Sequence, residues 1–420
     1  MPAAGAAAIQ PNAVTDDRLT IGLSLSLTGQ YAAMGRQAET AIRLFVADQN
    51  AAGGMRIGAR GFELALECHD DQSDPARCAE IYRSLCFENR ANLIFGPYSS
   101  ALTRVAAPIA EQAGLVMVNH GGADDELYRQ KYRLMVGILS PASDYLLGFA
   151  RLLSTLKLWR KRLALVAFPS QFAHSVIDGL EQACKERSIY RRGVRIRLKE
   201  TLSRDADDAR ATLIARLARA RVNALASAGS FDDDVGLIQA VVAANLNIPV
   251  IACVAAGVED FRKRLGEHAD GIVGPSQWER QLQIAPELGP SPEKFVRRMN
   301  AAAPGTACDY PAAQIYAAGI LTGAALNAAG ALEQERLRDA FADLRSTTFY
   351  GEFAIDRVTG RQFGHKVLLV QWHQGEKIII HPDSHTEMGA MELPSGWHLI
   401  LGSFRGLRIR SGRREHDESD

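Results

Sequence analysis

Apolar and polar positions along the 420-residue chain fall into two alternating kinds of block. Leu19–Leu27 (LTIGLSLSL) repeats with period two and predicts a strand. Thr28-Gly29 breaks it, and Ala33–Asn50, with Ile42, Leu44, Phe45 and Val46, predicts a helix that Gly53-Gly54 stops. The succession repeats as strand Phe62–Cys68, helix Ala76–Phe87, strand Asn92–Phe95, helix Ala101–Ala113 and strand Leu115–Val118. It restarts at Arg162–Phe168 and continues through helix Ser175–Arg187, strand Gly193–Leu198, helix Asp205–Ala220, strand Val222–Ala228, helix Phe231–Ala244 and strand Pro249–Cys253. Strands separated by helices imply parallel pairing, and two such series imply an α/β protein of two doubly wound, Rossmann-like lobes. Ser291–Gly330 is Ala-rich and helical in pattern, and Tyr350–Asp356 with His365–Trp372 around the turn Arg357–Gly360 reads as a β-hairpin.

Composition removes several function classes. The formal net charge is +0, so no overall field draws nucleic acid or an anionic membrane, and no apolar run reaches the roughly 18 residues that cross a bilayer. Six scattered cysteines without a C-x-x-C pair argue against a zinc site and leave one disulfide open without choosing it. Phosphate-loop, dinucleotide, zinc-protease and nucleophile-elbow motifs do not occur, so no enzyme activity and no cofactor are expected. The first residues carry a possible cleavage site at Ala6–Ala8 but no basic segment, which leaves a trimmed export signal and an Ala-rich cytoplasmic arm both open.

The candidate chemistry concentrates at two loops. Gly96-Pro97-Tyr98-Ser99-Ser100 joins a predicted strand to a helix, where free N–H groups and the helix dipole suit a carboxylate and the two hydroxyls add donors. The next strand ends in Asn119-His120-Gly121-Gly122-Ala123, whose glycines allow a close backbone approach. His381 and His385, with Asp383 and Glu387, superficially resemble a metal site, but Pro382 argues against a ligating helix. The acidic turn His69–Pro75 lacks the central Gly and spacing of a calcium loop and reads as a helix-capping turn. The arginines at 405, 408, 410, 413 and 414 read as a solvated extension.

These segments carry a resemblance. IGLSLSLTGQYAAMG from Ile21, DDQSDP from Asp70, GPYSSALTRVAAPIAEQAG from Gly96, VNHGGADDEL from Val118, GSFDDDVGLIQA from Gly229 and the late GEFAID…QW region resemble the type I periplasmic binding proteins. The likeness is to the leucine/isoleucine/valine-binding branch and spans about Leu19 to Pro382. It implies two lobes joined by three crossovers: 19–141 with 278–346, and 142–277 with 347–382, flanked by extensions at 1–18 and 383–420. It implies a periplasmic, monomeric receptor that hands a small carboxylate to an ABC transporter permease. A cytoplasmic sensor of the amide-responsive type stands as the alternative. The ligand set implied is Tyr31, Met34, Tyr98, Ser99, Ser100, Gly121, Gly122 and Ala123 on the first lobe, Phe172 and Phe231 as covering aromatics, and Trp278 on the wall. One departure matters: where relatives place an acid for the ligand ammonium, this chain has Val254-Ala255-Ala256. Either Asp124, Asp232 or Glu259 substitutes, or the ligand is an apolar or aromatic carboxylate without an α-amino group. The cysteine pair of some relatives is also replaced, by Ser73 and Ser99.

Overall fold

The computed structural model describes residues 17–381 apart from 89, 157, 159 and 204–207. The first lobe runs β1 (Arg18–Leu25), α1 (Ala32–Ala51), β2 (Met55–Ile57), β3 (Arg60–Asp70), α2 (Pro75–Phe87), β4 (Leu93–Phe95), α3 (Ser100–Ala113), β5 (Met117–Asn119), α4 (Asp125–Arg129) and β6 (Met135–Gly137). The second runs α5 (Leu147–Thr155), β7 (Lys161–Ala167), α6 (Gln171–Lys185), α7 (Arg187–Arg191), β8 (Val194–Thr201), α8 (Ala209–Ala220), β9 (Ala224–Ala228), α9 (Phe231–Ala243), β10 (Val250–Cys253), α10 (Glu259–Leu265) and β11 (Val273–Ser276). The chain then returns through α11 (Pro292–Ala302), α12 (Tyr310–Ala329), α13 (Gln334–Asp343), β12 (Ser346–Thr348) and β13 (Gly351–Phe353), and ends in β14 (Leu368–His373) and β15 (Glu376–His381).

The two sheets have strand orders β2-β3-β1-β4-β5-β6 and β15-β14-β11-β10-β9-β7-β8. Stripped of the antiparallel additions β2, β14 and β15, each is a five-stranded parallel sheet in which the first strand lies between the second and third. The order therefore reverses between β1 and β4 in one lobe and between β7 and β9 in the other. Such a reversal leaves a crevice at the carboxyl ends of the strands, because the helices that follow them leave toward opposite faces.

Parallel strands buried on both faces need side chains that pack on each. Leu19, Ile21, Leu23 and Leu25 of β1 lie wholly buried against α1, α12 and the helices beside it. On the other face Met117 of β5 joins Leu102, Ala106 and Tyr82 of α2 and α3. α12 is apolar all round because it is buried nearly all round. At Gly319 a Cβ would come within 2.6 Å of the Phe45 ring, so glycine is what lets α12 seat on α1. Among the described residues no single helix is long and apolar enough to cross a membrane.

The acidic turn is structural. Asp71 accepts from the Ser24 hydroxyl at 2.7 Å and the Ser26 hydroxyl at 2.5 Å, and Asp70 accepts from Leu27 N at 2.9 Å. Asp74 caps α2 through Arg77 N at 2.7 Å. The turn thus pins the loop after β1. All six cysteines are unpaired thiols, five of them pushed up to about 12 chiefly by burial.

One expectation is corrected in part. The turn Arg357–Gly360 does reverse the chain, with an antiparallel bridge between Ile355 and Gln362, but His365–Trp372 does not pair with Tyr350–Asp356: β13 pairs with β12, whereas β14 pairs with β15 across the Gln374-Gly375 turn and with β11. Gln374 and Gly375 both have positive φ, the backbone of a tight turn, and this second signal went unread. Phe349, between β12 and β13, stacks on Phe295 with ring centroids 4.4 Å apart and meets Trp278 and Tyr316 edge-on. His385, Asp383, Glu387, the arginine tail and Ala6–Ala8 lie outside the described residues, and His381 ends β15.

Three segments cross between the lobes, at 138–146, 277–291 and 354–367, and they are tied to one another. The Gln277 carboxamide accepts from Ser140 N at 3.2 Å and donates to Ser140 O at 3.1 Å. The Ser140 hydroxyl lies 2.9 Å from His365 Nδ1 and 3.0 Å from its carbonyl oxygen. Tyr350 stacks on His365 with centroids 4.3 Å apart and donates to Gln277 Oε1 at 3.3 Å. One residue from each crossing therefore meets in a buried polar knot.

Burial lowers the pKa of His365, and of His120 at the end of β5, from 6.5 to about 4. A group lowered on folding contributes stability that is complete above its unfolded pKa and is lost as pH falls through its folded one. Unfolding free energy should therefore drop between about pH 6.5 and 4, by about 3 kcal/mol per histidine. Asp234, raised to about 7 by burial, works in the opposite sense between 3.8 and 7. Comparison with His365→Gln cancels that background. Urea unfolding near pH 7 and near pH 4 should show a loss about 3 kcal/mol smaller in the variant; equal losses would mean that His365 does not titrate with folding.

Candidate functional site

Aromatic rings stand at both switch points. On the first lobe Tyr31 begins α1 after β1, and Tyr98 follows β4; both are half-buried, with ring centroids 6.3 Å apart. The Tyr31 N–H is held by the Ser73 hydroxyl at 3.1 Å, so the acidic turn positions this ring. Met34, half-buried, lies one residue turn further along α1. On the second lobe Phe172 lies in the first turn of α6 after β7, and Phe231 opens α9 after β9. Two tyrosines that the sequence pattern did not single out complete the set. Tyr145, on the first crossing, meets Phe172 with centroids 5.4 Å apart. Tyr310, at the start of α12, brings its hydroxyl to 3.1 Å from that of Tyr98. Burial raises the Tyr98 phenol well above 10, so these hydroxyls are neutral. The readable signal for Tyr310 was the Asp-Tyr-Pro start of a helix.

Trp278 does not line this space. Its indole is 1% exposed, packs edge-on to Phe295 and Phe349, and donates to the Phe349 carbonyl at 3.0 Å. It is a core residue at the root of the second crossing.

The expected carboxylate donors are brought together, but largely onto one another. Asn119 Oδ1 accepts from Gly122 N at 2.8 Å and Gly121 N at 3.3 Å. Ser100 Oγ accepts from Ala123 N at 3.1 Å and Asp124 N at 3.0 Å. The glycines are required by the protein's own packing: a Cβ on Gly121 would fall 2.4 Å from Pro97 O, and one on Gly122 2.5 Å from Thr103 Oγ1. Ser99 caps α3 through Leu102 N at 3.3 Å, with φ +101. That left-handed value strains a non-glycine backbone and holds the turn after β4 in one shape. What remains for a ligand is the hydroxyl hydrogen of Ser100 and the amino end of α3 with its dipole.

The three acids considered as partners for an ammonium are engaged. Asp124 is buried, paired with Arg104 and bonded by the Ser175 hydroxyl of the second lobe at 3.0 Å. Asp232 pairs with Arg264 at 3.2 Å, and Glu259 lies 3.6 Å from Arg280. An acid does stand near Ala255, but behind it: Asp234 accepts from Ser227 Oγ at 2.7 Å and Ala255 N at 3.0 Å. Its role is to fix the turn after β10. Among the described residues no group of three or more His, Cys, Asp or Glu is arranged to hold a metal ion. A cavity of about 290 Å³ is lined by Gln277, Leu282, Ile284, Tyr350, His365 and Leu368 among others.

A family model described as periplasmic binding protein matches residues 18–377. The Leu/Ile/Val/Thr-binding protein of Salmonella typhimurium is 22% identical over 261 residues, covering 61% of this chain and 67% of that protein. The Leu/Ile/Val-binding protein of Citrobacter freundii is 27% identical over 162 residues, 38% of this chain, and the match spans 42% of that relative's length. The solute-binding protein of an ABC transporter from R. palustris, solved in complex with benzoate, superposes with a TM-score of 0.69 at 20% identity, over 89% of this chain and 98% of that one. At that identity the likeness concerns the fold.

Ser100→Ala would strip the acceptor from two buried backbone N–H groups, those of Ala123 and Asp124. The expected result is a loss of about 1–3 kcal/mol in unfolding free energy without any ligand present, measured by urea denaturation. Unchanged stability would show that Ala123 N and Asp124 N find other acceptors.

Proposed function

We propose, from the premise that this chain belongs to the periplasmic binding protein family, that it is the extracytoplasmic receptor of an ABC uptake transporter. Its ligand on this reading is a small apolar or aromatic carboxylate, and it closes on that ligand without chemical change. The observation that carries the reading is the pairing of two switch points whose loops present Tyr31, Tyr98, Phe172 and Phe231, joined by Tyr145 of the first crossing and Tyr310 of α12. Asp124, Asp232 and Glu259 are at the same time committed to arginines.

The electrostatics decide between the ligand classes. An α-amino acid brings a cation into a cleft that sheds water on closing, and an unpaired buried charge costs several kcal/mol. A carboxylate alone meets the Ser100 hydroxyl and the amino end of α3, and a flat ring meets aromatic walls that stack at little entropic cost. The benzoate complex of the R. palustris protein and the branched-chain amino acids named for the Salmonella and Citrobacter proteins mark the two alternatives. Binding energy is greatest when both lobes contact the ligand, so the ligand favours the closed arrangement.

Calorimetric titration of benzoate and phenylpropionate against phenylalanine and leucine tests this. The acids should bind at least about tenfold more tightly, which is about 1.4 kcal/mol. Amino acids binding tighter by that margin would mean that one of the paired acids swings into the cleft, and the ligand assignment would fall.

A further inference from the structure

The formal net charge of +0 conceals an uneven distribution. Three short segments, 160–162, 185–195 and 218–223, carry ten Lys or Arg and a single acid, Glu186. The fold gathers them. β7, β8 and β9 are parallel neighbours, with Lys161 beside Val194 and Leu163 beside Ala224, so their amino ends share one end of the second sheet. Each basic segment runs into one of those strands. Hydrogen bonds tie the three together: Lys161 Nζ donates to the Arg192 carbonyl at 2.8 Å, Asn223 N to the Arg162 carbonyl at 3.0 Å, and the Asn223 carboxamide to the Arg160 carbonyl at 2.5 Å.

Arg160, Arg187, Arg191, Arg192, Arg219 and Arg221 are exposed at this pole. Cations nearby are answered by acids, Lys185 and Lys199 by Glu181 and Arg216 by Glu200. Among the described residues none of the six arginines makes an ion pair. A basic residue in the last turn of a helix complements its dipole, which accounts for Arg191 and Arg219. It does not account for Arg160, Arg187, Arg192 and Arg221. Like charges at this density repel one another, and an anionic partner relieves that repulsion.

We propose that this pole of the second lobe docks on an anionic membrane surface through its phosphate headgroups. The spread of the charges selects the kind of partner. A small anion is gripped by donors that converge on it, whereas these six are distributed over the ends of α7, α8 and three strands about 4.8 Å apart. Such an array matches a continuous anionic surface, to which each Lys or Arg adds attraction. Tyr190 favours a bilayer over a nucleic acid or an acidic protein. It is 52% exposed among these arginines and carries the Arg195 guanidinium 3.5 Å from its ring centroid. A ring with an apolar body and a polar tip suits the headgroup level of a membrane. Phe172 and Phe231 follow the opposite, carboxyl ends of β7 and β9, so docking leaves the candidate ligand site uncovered. The membrane contact is therefore independent of which ligand the cleft takes.

The test sediments the purified chain, without ligand, with vesicles of phosphatidylcholine alone or with about one third phosphatidylglycerol, at about 50 mM and about 200 mM salt. At the lower salt, binding to the anionic vesicles should exceed binding to the neutral ones at least about tenfold, and the higher salt should remove most of the difference. Arg191→Glu combined with Arg192→Glu keeps the Arg192 carbonyl that Lys161 uses and should lower anionic-vesicle binding at least about tenfold with thermal unfolding unchanged. Arg160→Glu combined with Arg219→Glu is a second pair from other segments, with the same expectation. Arg297→Glu, at an exposed arginine of α11, should leave binding as it is. No binding, equal binding to both kinds of vesicle, or full binding by both folded double variants would overturn the proposal. So would an equal loss in Arg297→Glu, which would make the effect one of total charge. Release from vesicles by inorganic phosphate at matched ionic strength would replace the surface with a discrete anion site. Binding of a duplex DNA oligomer but not of vesicles would give the pole to nucleic acid, and either result overturns the membrane assignment.

Discussion

The arrangement of the molecule depends on the knot of Ser140, Gln277 and His365. Each belongs to a different crossing, and the hydrogen bonds among them use the backbone and side chain of a residue that is 0% exposed. Three strands of chain that pass between two rigid α/β lobes would leave the lobes loosely related if each moved alone. Bound together, they act as one short axis. On the proposed receptor reading, rotation of one lobe on the other would turn about this point and bring the two strand reversals together or apart.

A second set of polar contacts acts at the far side of that axis. Lys377 of β15 reaches Glu279 at 3.0 Å, Asp309 at 2.9 Å and the Gly257 carbonyl at 3.1 Å, all buried. Asp309 also accepts from Glu259 N at 3.2 Å and lies at the start of α12, so the cluster links the first lobe to the turn after β10. Burial raises the Glu279 carboxyl, while the two carboxylates outweigh the desolvation of Lys377 and hold its ammonium charged. Such a cluster gives little net stability against apolar packing, but removal of one partner strands charge, so it specifies one geometry strongly. Ser175 to Asp124 is the corresponding contact on the other side of the cleft. Polar contacts away from the aromatic rings thus tie the two lobes to each other in this structure.

Much of this was legible in the chain. The apolar runs at Leu19 and Arg162 located β1 and β7, and the helical runs between strands identified both lobes, because strands buried on two faces are rich in apolar residues. The loops carrying Tyr31, Tyr98, Phe172 and Phe231 followed from the strand ends. Short strands such as β6 and β11 escaped, since three or four residues give no period. Trp278 was misplaced because a tryptophan beside a crossing has the same sequence appearance whether it faces cleft or core; only its contact with Phe349, 71 residues away, decides. The glycine pair reads in the sequence as a close backbone approach to a ligand, whereas the neighbours that require glycine in the structure are Pro97 and Thr103. Tyr145 and Tyr310 were invisible for the same reason: each reaches its aromatic neighbour through tertiary packing of segments distant in sequence.

The central claim is that two aromatic-lined crevices close on a ligand about the knotted axis. Small-angle X-ray scattering of the purified chain, with and without saturating benzoate, measures this most directly. The account predicts a smaller radius of gyration with the ligand, and predicts that Gln277→Ala weakens or removes the change. Benzoate binding with the radius of gyration unaltered in the wild type would contradict it.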